Sequence, residues 1–197
     1  MGDLSVPTDE FNENLYKAVK FSKGMNLTEV MEQIKDGLIM EFGVAEGESL
    51  RYFADHTKRH IYGFDSFDGL PEAWNNLPKG HFRCKVPEDI PGNVTLVQGV
   101  FQESIPLFLR GQKREKVALM HIDCDLYSSA KFVLDSFKYF FQDGSIIIFD
   151  EFIDYGKDRI WKDHEFKAFA EFLVQTEYNW ECIGRWKDYQ AIFKLRM

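Results

Sequence analysis

Leu38-Ile-Met-Glu-Phe-Gly-Val-Ala-Glu-Gly-Glu-Ser49 is the stretch on which the reading of this chain turns. An apolar run follows Gly37, carries Glu41 near its end and breaks into glycines at 43 and 47. That is the pattern of a buried strand, a tight turn and the start of a helix. An acid at the strand end, with side-chain-free backbone just beyond, lets a small polar ligand lie against the main chain. An ordinary strand-to-helix turn has the same signature, so the decision falls to the residues around it.

Downstream, a helix near 48–57 leads to a second strand at 60–64 that ends on Asp65. An acid there, about twenty residues past the glycine turn, is where a nucleotide-type fold holds ribose hydroxyls. Residues 66–92 form a long loop with Pro71, Pro78, Pro87 and Pro91, the kind that serves as a lid or binding loop or stays disordered. A third strand at 94–98 closes on Gly99, followed by a short helix near 103–110 and a basic loop at 111–116. The fourth strand, 117–122, runs into Asp123-Cys-Asp125, and a helix at about 126–141 follows it. The fifth strand, 145–149, ends on Asp150-Glu151. Apolar strands alternating with helices predict a parallel sheet covered on both faces.

The last third changes character. A loop holding Tyr155 and Trp161 leads to a helix near 163–176 whose Phe166, Phe169, Phe172 and Leu173 face inward. Strands at 180–184 and 189–195 follow, and the segment 185–188 between them is too short for a crossover helix, so they form an antiparallel hairpin. Upstream of the central stretch, helical patterns at 9–23 and 26–35 are expected to cover the sheet edge or the ligand mouth, with Asn26 or Thr28 capping the second.

The chain is 197 residues long, which suits one domain with a sizeable core: a helical cover at 1–36 and the main fold at 37–197. A net charge of −8 disfavours nucleic acid or an anionic membrane surface as a partner. No apolar run reaches the roughly 18 residues of a membrane helix. The first ten residues show neither a basic start nor an apolar segment, so no signal peptide is expected. Cys84, Cys124 and Cys182 are odd in number and lack CxxC pairing, which fits reduced thiols in the cytoplasm. Homo-oligomerisation is left open.

The polar residues of interest gather where strands end: Glu41, Asp65, Gly99, Asp123, Asp125, Asp150 and Glu151. That edge of an open α/β sheet is where ligands bind, and five strand ends acting in concert exceed what helix capping requires. The dinucleotide fingerprint G-x-G-x-x-G and the P-loop are both absent. Acid-x-Gly-x-x-x-Gly after the first strand, an acid after the second and a terminal hairpin resemble the class I S-adenosylmethionine-dependent methyltransferases. Within that class, Asp65-Ser-Phe-Asp-Gly-Leu-Pro-Glu72, Gly99-Val-Phe101, His121-Ile-Asp-Cys-Asp-Leu-Tyr-Ser-Ser129 and Ile148-Phe-Asp-Glu-Phe152 are similar to the macrocin O-methyltransferase family over about residues 38–195. Those enzymes methylate sugar hydroxyls with the help of a divalent metal.

The resemblance implies a Rossmann-like fold: a seven-stranded, mostly parallel sheet with a C-terminal antiparallel hairpin and helices on both faces. It implies S-adenosylmethionine as cofactor, with Glu41, Gly43, Gly47 and Ser49 around its methionine moiety. Asp65 would take the ribose hydroxyls, with Ser66 and Phe67 beside the adenosine, and Gly99, Phe101 and Gln102 would flank the adenine. Phe101 equally suits a core position. Asp123, Asp150 and Glu151 would ligate a divalent cation, expected to be Mg²⁺, since three converging carboxylates need a cation or protons between them. The family more usually carries two aspartates where this chain has Asp150-Glu151. Asp123 or Asp125 would accept the acceptor's proton; Asp125 is alternatively a helix cap. His121 reads as a satisfied core histidine. Acceptor contacts are expected from Tyr155, Trp161 and His164, whose rings packing would also explain. The acceptor itself is read as a small molecule bearing a hydroxyl. A metal-independent methyltransferase with another acceptor and a non-catalytic binding module are the alternatives.

Overall fold

The computed structural model describes residues 6–112, 115–155, 160–186 and 188–197. Lys113 and Arg114 of the basic loop, and Lys187 between the last two strands, lie outside them. Strands β1 (Leu38–Phe42), β2 (Ile61–Asp65), β3 (Val94–Gln98), β4 (Val117–Ile122), β5 (Ile146–Phe149), β6 (Asn179–Gly184) and β7 (Ala191–Arg196) form one sheet in the order β3-β2-β1-β4-β5-β7-β6. The first five are parallel, and β7 runs antiparallel between β5 and β6. The hairpin therefore adds to the sheet through its second strand, leaving β6 at the edge.

β1, β4 and β5 sit in the middle, and every one of their residues is buried. Covered on both faces, they have no solvent side to encode, hence their near-continuous apolar runs. Side chains alternate between two cores. Met40, Phe42, Met120, Ile122, Ile147 and Phe149 face the larger one. There they meet α4 (Phe101–Gly111), α5 (Tyr127–Phe137), α6 (Glu165–Thr176) and α1 (Asp9–Lys20). Ile39, Leu119, Ile146 and Ile148 face the smaller core with α2 (Leu27–Met31) and α3 (Glu48–His56). Glu41 and His121 share that second face by the same period of two.

The larger core is aromatic. Phe169 lies with ring centroids 4.5 Å from Phe193, 4.9 Å from Phe149 and 5.9 Å from Phe152. Fully burying a side chain of this size contributes about 1.5–3 kcal/mol. Of the N-terminal helices, α1 packs on α6 and edge strand β6, and α2 on α3. α2 is one turn rather than the expected ten residues. Its start is fixed by a reciprocal capping box between Asn26 and Glu29. α5 stops at Phe137, short of the expected 141, because the next residues turn back and the Phe140 carbonyl accepts from Val117 at the start of β4. No described helix is long and apolar enough to cross a membrane.

The chain runs from β1 outward to β3, then returns to place β4 on the other side of β1. This reversal of strand order lies between β1 and β4, and their carboxyl ends open the crevice where doubly wound sheets take ligands.

Candidate functional site

The glycine turn is shaped by close approach. Gly43 has φ +92°, and a β-carbon there would lie 1.7 Å from the Asp123 carbonyl oxygen, so only glycine lets the ends of β1 and β4 meet. The Asp123 amide then donates to the Phe42 carbonyl at 2.9 Å. Asp65 braces the same turn. Its Oδ2 accepts from the amides of Val44 at 2.7 Å and Ala45 at 2.9 Å, and its Oδ1 from Phe67 at 2.7 Å. Three of about four acceptor sites on the carboxylate are thus used inside the protein, leaving one on Oδ1 for a hydroxyl donor.

A cavity of about 350 Å³ opens over this turn. Gly43, Asp65, Ser66, Gly99, Phe101 and Gln102 line one side; Asp123, Asp125 and Glu151 line the other, and Leu70, Pro71 and Trp74 contribute from the 66–92 loop. Phe101 serves both readings, since it lines the cavity and packs edge-on against Phe42 at 5.7 Å. A second cavity of about 630 Å³ shares Asp123 with the first and is lined by Ser49, Asp150, Tyr52 and Trp186. Glu41, Gly47 and Phe67 line neither. Glu41 is fully buried, and its Oε1 accepts the Ser49 hydroxyl at 2.6 Å. Phe67 is core, contributing its amide to Asp65. Gly47 is the left-handed residue before α3.

The acids after β4 and β5 form a half-buried cluster. One oxygen each from Asp123, Asp125 and Glu151 lie within 4.8 Å of one another; on the opposite side, Asp123 and Asp150 group with His121 in the same way. Asp150 and Glu151, adjacent in sequence, thus contribute to two groups that meet at Asp123. Burial and then Asp150 raise Asp125 to about 7. Burial, followed by Asp150, Asp123 and Asp125, raises Glu151 to about 10, and burial with Asp150 lifts Asp123 well above the carboxylate range. Burial lowers the His121 imidazolium, but Asp150 and Glu41 outweigh it and raise the group to about 10.

Asp125 lines the cavity, and α5 begins after Leu126 with no side-chain cap hydrogen bond. Trp161 is a core residue stacked on Tyr16 at 5.4 Å. Tyr155 and His164 lie against Trp74, with centroids 6.1 and 6.2 Å away.

Two residues escaped sequence reasoning. Glu165 is fully buried and accepts from the amides of Cys124 and Glu151, both at 3.3 Å, pinning the two acidic loops together. Gln190, also fully buried, donates from Nε2 to Asp150 Oδ1. An acid in a first helical turn looks like a dipole partner, and a glutamine before a strand looks like a loop residue; neither carried a signal.

So many carboxylates in so small a volume repel unless protons or a cation compensate, and Glu151 Oε2 is buried without a hydrogen-bond partner. The oxygen-rich donor set therefore fits a divalent cation.

A family model described as a methyltransferase domain matches residues 40–152. Among solved structures, CalS11, titled calicheamicin methyltransferase, superposes with a TM-score of 0.65 at 24% identity, covering 93% of this chain and 76% of that one. Its apo form, titled TDP-rhamnose 3'-O-methyltransferase, gives 0.59 at 24% identity over 85% of this chain and 76% of the other. The O-methyltransferase NovP gives 0.60 at 17% identity over 94% and 79%. No curated protein matches the sequence.

Proposed function

The chain belongs to the methyltransferase-domain family and is an S-adenosylmethionine-dependent methyltransferase, and from that premise we propose that it methylates a hydroxyl of a small molecule, a sugar or natural product, with the help of a divalent cation. The observation that carries this reading is the half-buried acidic cluster at the ends of β4 and β5, of which Asp123, Asp125 and Glu151 wall the same cavity as Gly43. The sequence resemblance to macrocin O-methyltransferases and the similarity to CalS11, a calicheamicin and TDP-rhamnose 3'-O-methyltransferase, support a sugar or natural-product acceptor, and the similarity to the O-methyltransferase NovP supports a hydroxyl. The net charge of −8 supports a small acceptor over nucleic acid or membrane, and three free cysteines support a cytoplasmic setting.

The cofactor, when bound, supplies an electrophilic methyl group on a sulfonium. Ser66, Gly99, Phe101 and Gln102 would hold its adenosine, with an aromatic face and an amide suited to adenine. Asp65 would take one ribose hydroxyl through its remaining lone pair while keeping the glycine turn in shape. Gly43 and Ser49 border the space for the methionine moiety, and Glu41 acts beneath it by orienting Ser49. Asp123, Asp150 and Glu151 would hold the cation, which supplies Lewis acidity that lowers the acceptor hydroxyl's pKa. Asp125 is poised to accept that proton, because burial places it near the operating pH of a general base.

The test is transfer of labelled methyl from S-adenosylmethionine to a panel of sugars, phenols and hydroxylated natural products, first after exhaustive chelation and then with Mg²⁺, Mn²⁺ or Ca²⁺ added. Transfer that is lost with the metal and restored by it is expected. Undiminished turnover in the chelated protein refutes the cation, and labelling confined to amine or thiol acceptors refutes the hydroxyl.

A further inference from the structure

His121 has no place in an all-oxygen cation site, yet the structure sets it beside one. It lies opposite Glu41 in the β1–β4 ladder and is 1% exposed. Its Nδ1 is 3.4 Å from Glu41 Oε2 and its Nε2 is 3.8 Å from Asp150 Oδ1, but neither nitrogen completes a well-aligned hydrogen bond. A buried imidazole normally satisfies both nitrogens. Among the described residues, a ring nitrogen of His121 and an oxygen each of Asp123 and Asp150 lie within 4.8 Å of one another. Ligand atoms about 2.1 Å from an octahedral ion lie about 3 Å apart when adjacent and about 4 Å apart when opposite, so the 3.8 Å between His121 Nε2 and Asp150 Oδ1 lies within the span of one ion.

The surroundings are those of a ligated histidine. A metal-binding imidazole usually directs its other nitrogen to a carboxylate, and ligating carboxylates are themselves hydrogen-bonded. Glu41 faces Nδ1 and is fixed by Ser49 at 2.6 Å; Gln190 donates to Asp150 Oδ1. Nε2 is left facing Asp150, with an oxygen of Asp123 in the same group.

We propose that His121 is a metal ligand, forming with Asp123 and Asp150 a mixed nitrogen–oxygen site that takes a first-row divalent transition ion in preference to Mg²⁺. The proposal rests on the cation reading given above and changes its ligand set: Glu151 turns to the Asp125 side, and an imidazole replaces it. Nitrogen ligation disfavours Mg²⁺, a hard cation that keeps oxygen and water around it, and favours the transition series. Glu41 then acts as a positioning residue, holding the ring with Nε2 toward the ion. The competing arrangement is a metal-free imidazolium lying between Glu41 and Asp150.

The full chain, stripped of metal, is loaded with Mn²⁺ and examined by pulsed electron paramagnetic resonance for coupling to a directly bound ¹⁴N. Nitrogen coupling in the wild type and its absence in Mn²⁺-loaded His121→Gln are expected, with Mg²⁺ displacing Mn²⁺ only at an excess of about tenfold or more. Should His121→Gln not fold, Glu41→Gln serves: Mn²⁺ affinity falls about 10- to 100-fold while the nitrogen coupling remains. Bound Mn²⁺ without nitrogen coupling overturns the proposal and leaves an all-carboxylate site standing. Unchanged Mn²⁺ affinity in both variants overturns it too. Absence of any Mn²⁺ binding overturns both this proposal and the cation reading, while calorimetric titration of S-adenosylhomocysteine into the same protein reports separately on the cofactor site.

Discussion

Asp65→Ala probes the point where fold and cofactor site are the same object. The side chain accepts three backbone amides, those of Val44, Ala45 and Phe67. Val44 and Phe67 are buried, with 3% and 4% exposure, so their amides lose a charged acceptor and gain no water. Each buried donor left unsatisfied costs about 1–3 kcal/mol, while the amide of exposed Ala45 is recovered by solvent. The substitution should therefore lower the unfolding free energy by about 2–6 kcal/mol. It should also weaken S-adenosylhomocysteine about ten- to a hundredfold, the worth of one charge-assisted ribose hydrogen bond of about 1.5–3 kcal/mol. Asp65→Asn keeps the shape but offers a single acceptor oxygen, and should fall between Asp65→Ala and wild type on both measures. Urea denaturation with an unchanged m-value gives the first quantity and calorimetry the second. A midpoint equal to wild type would refute the bracing role, and equal affinity in a stable Asp65→Ala protein would refute the ribose assignment.

Other expectations follow from the same geometry. Asp125 at about 7 and Glu151 at about 10 sit above their unfolded values near 4, so the folded metal-free protein holds more protons than the unfolded chain across those ranges. The stability contributed by these two groups is full below about pH 4 and is lost as pH rises to their folded values, at up to about 1.4 kcal/mol per pH unit for each. An added divalent cation should raise the melting temperature more at pH 8 than at pH 5; the reverse order in thermal scans would contradict this. Phe169→Ala should cost about 3–5 kcal/mol in urea denaturation, because its ring touches Phe149, Phe152 and Phe193 at the centre of the larger core. The loop at 66–92 is tied down by Leu70, Trp74 and Leu126 and by the Leu70–His81 and Phe67–Cys84 backbone bonds. Hydrogen exchange there should slow when S-adenosylhomocysteine binds, since Leu70, Pro71 and Trp74 line the cavity; equal protection in both states would make the loop a fixed scaffold.

The parallel core was legible because burial on both faces leaves an unbroken apolar run, as in β4 and β5, and because acids falling where such runs stop stand out. The position of β7 inside the hairpin was not legible: alternation shows which side of a strand is covered, not which strand lies beside it. α5 was overextended because Phe140 and Phe141 continue the apolar pattern after the helix has turned. Within the site, strand-end position singled out Asp123, Asp125 and Glu151, which line the first cavity, yet it could not show that Asp150 and Glu151 contribute to separate groups. Asp65 was found through its spacing from the glycine turn, while its work as an acceptor for the backbone depends on a turn geometry that sequence does not specify.

The most direct test of the central claim is calorimetric titration of S-adenosylhomocysteine into the wild-type chain and into Phe101→Ala, which trims the aromatic wall of the first cavity. The account predicts one molecule bound per chain, with affinity reduced in Phe101→Ala. No binding to the folded wild-type chain, or binding that Phe101→Ala leaves unchanged, would contradict the placement of the cofactor at the ends of β1, β2 and β3.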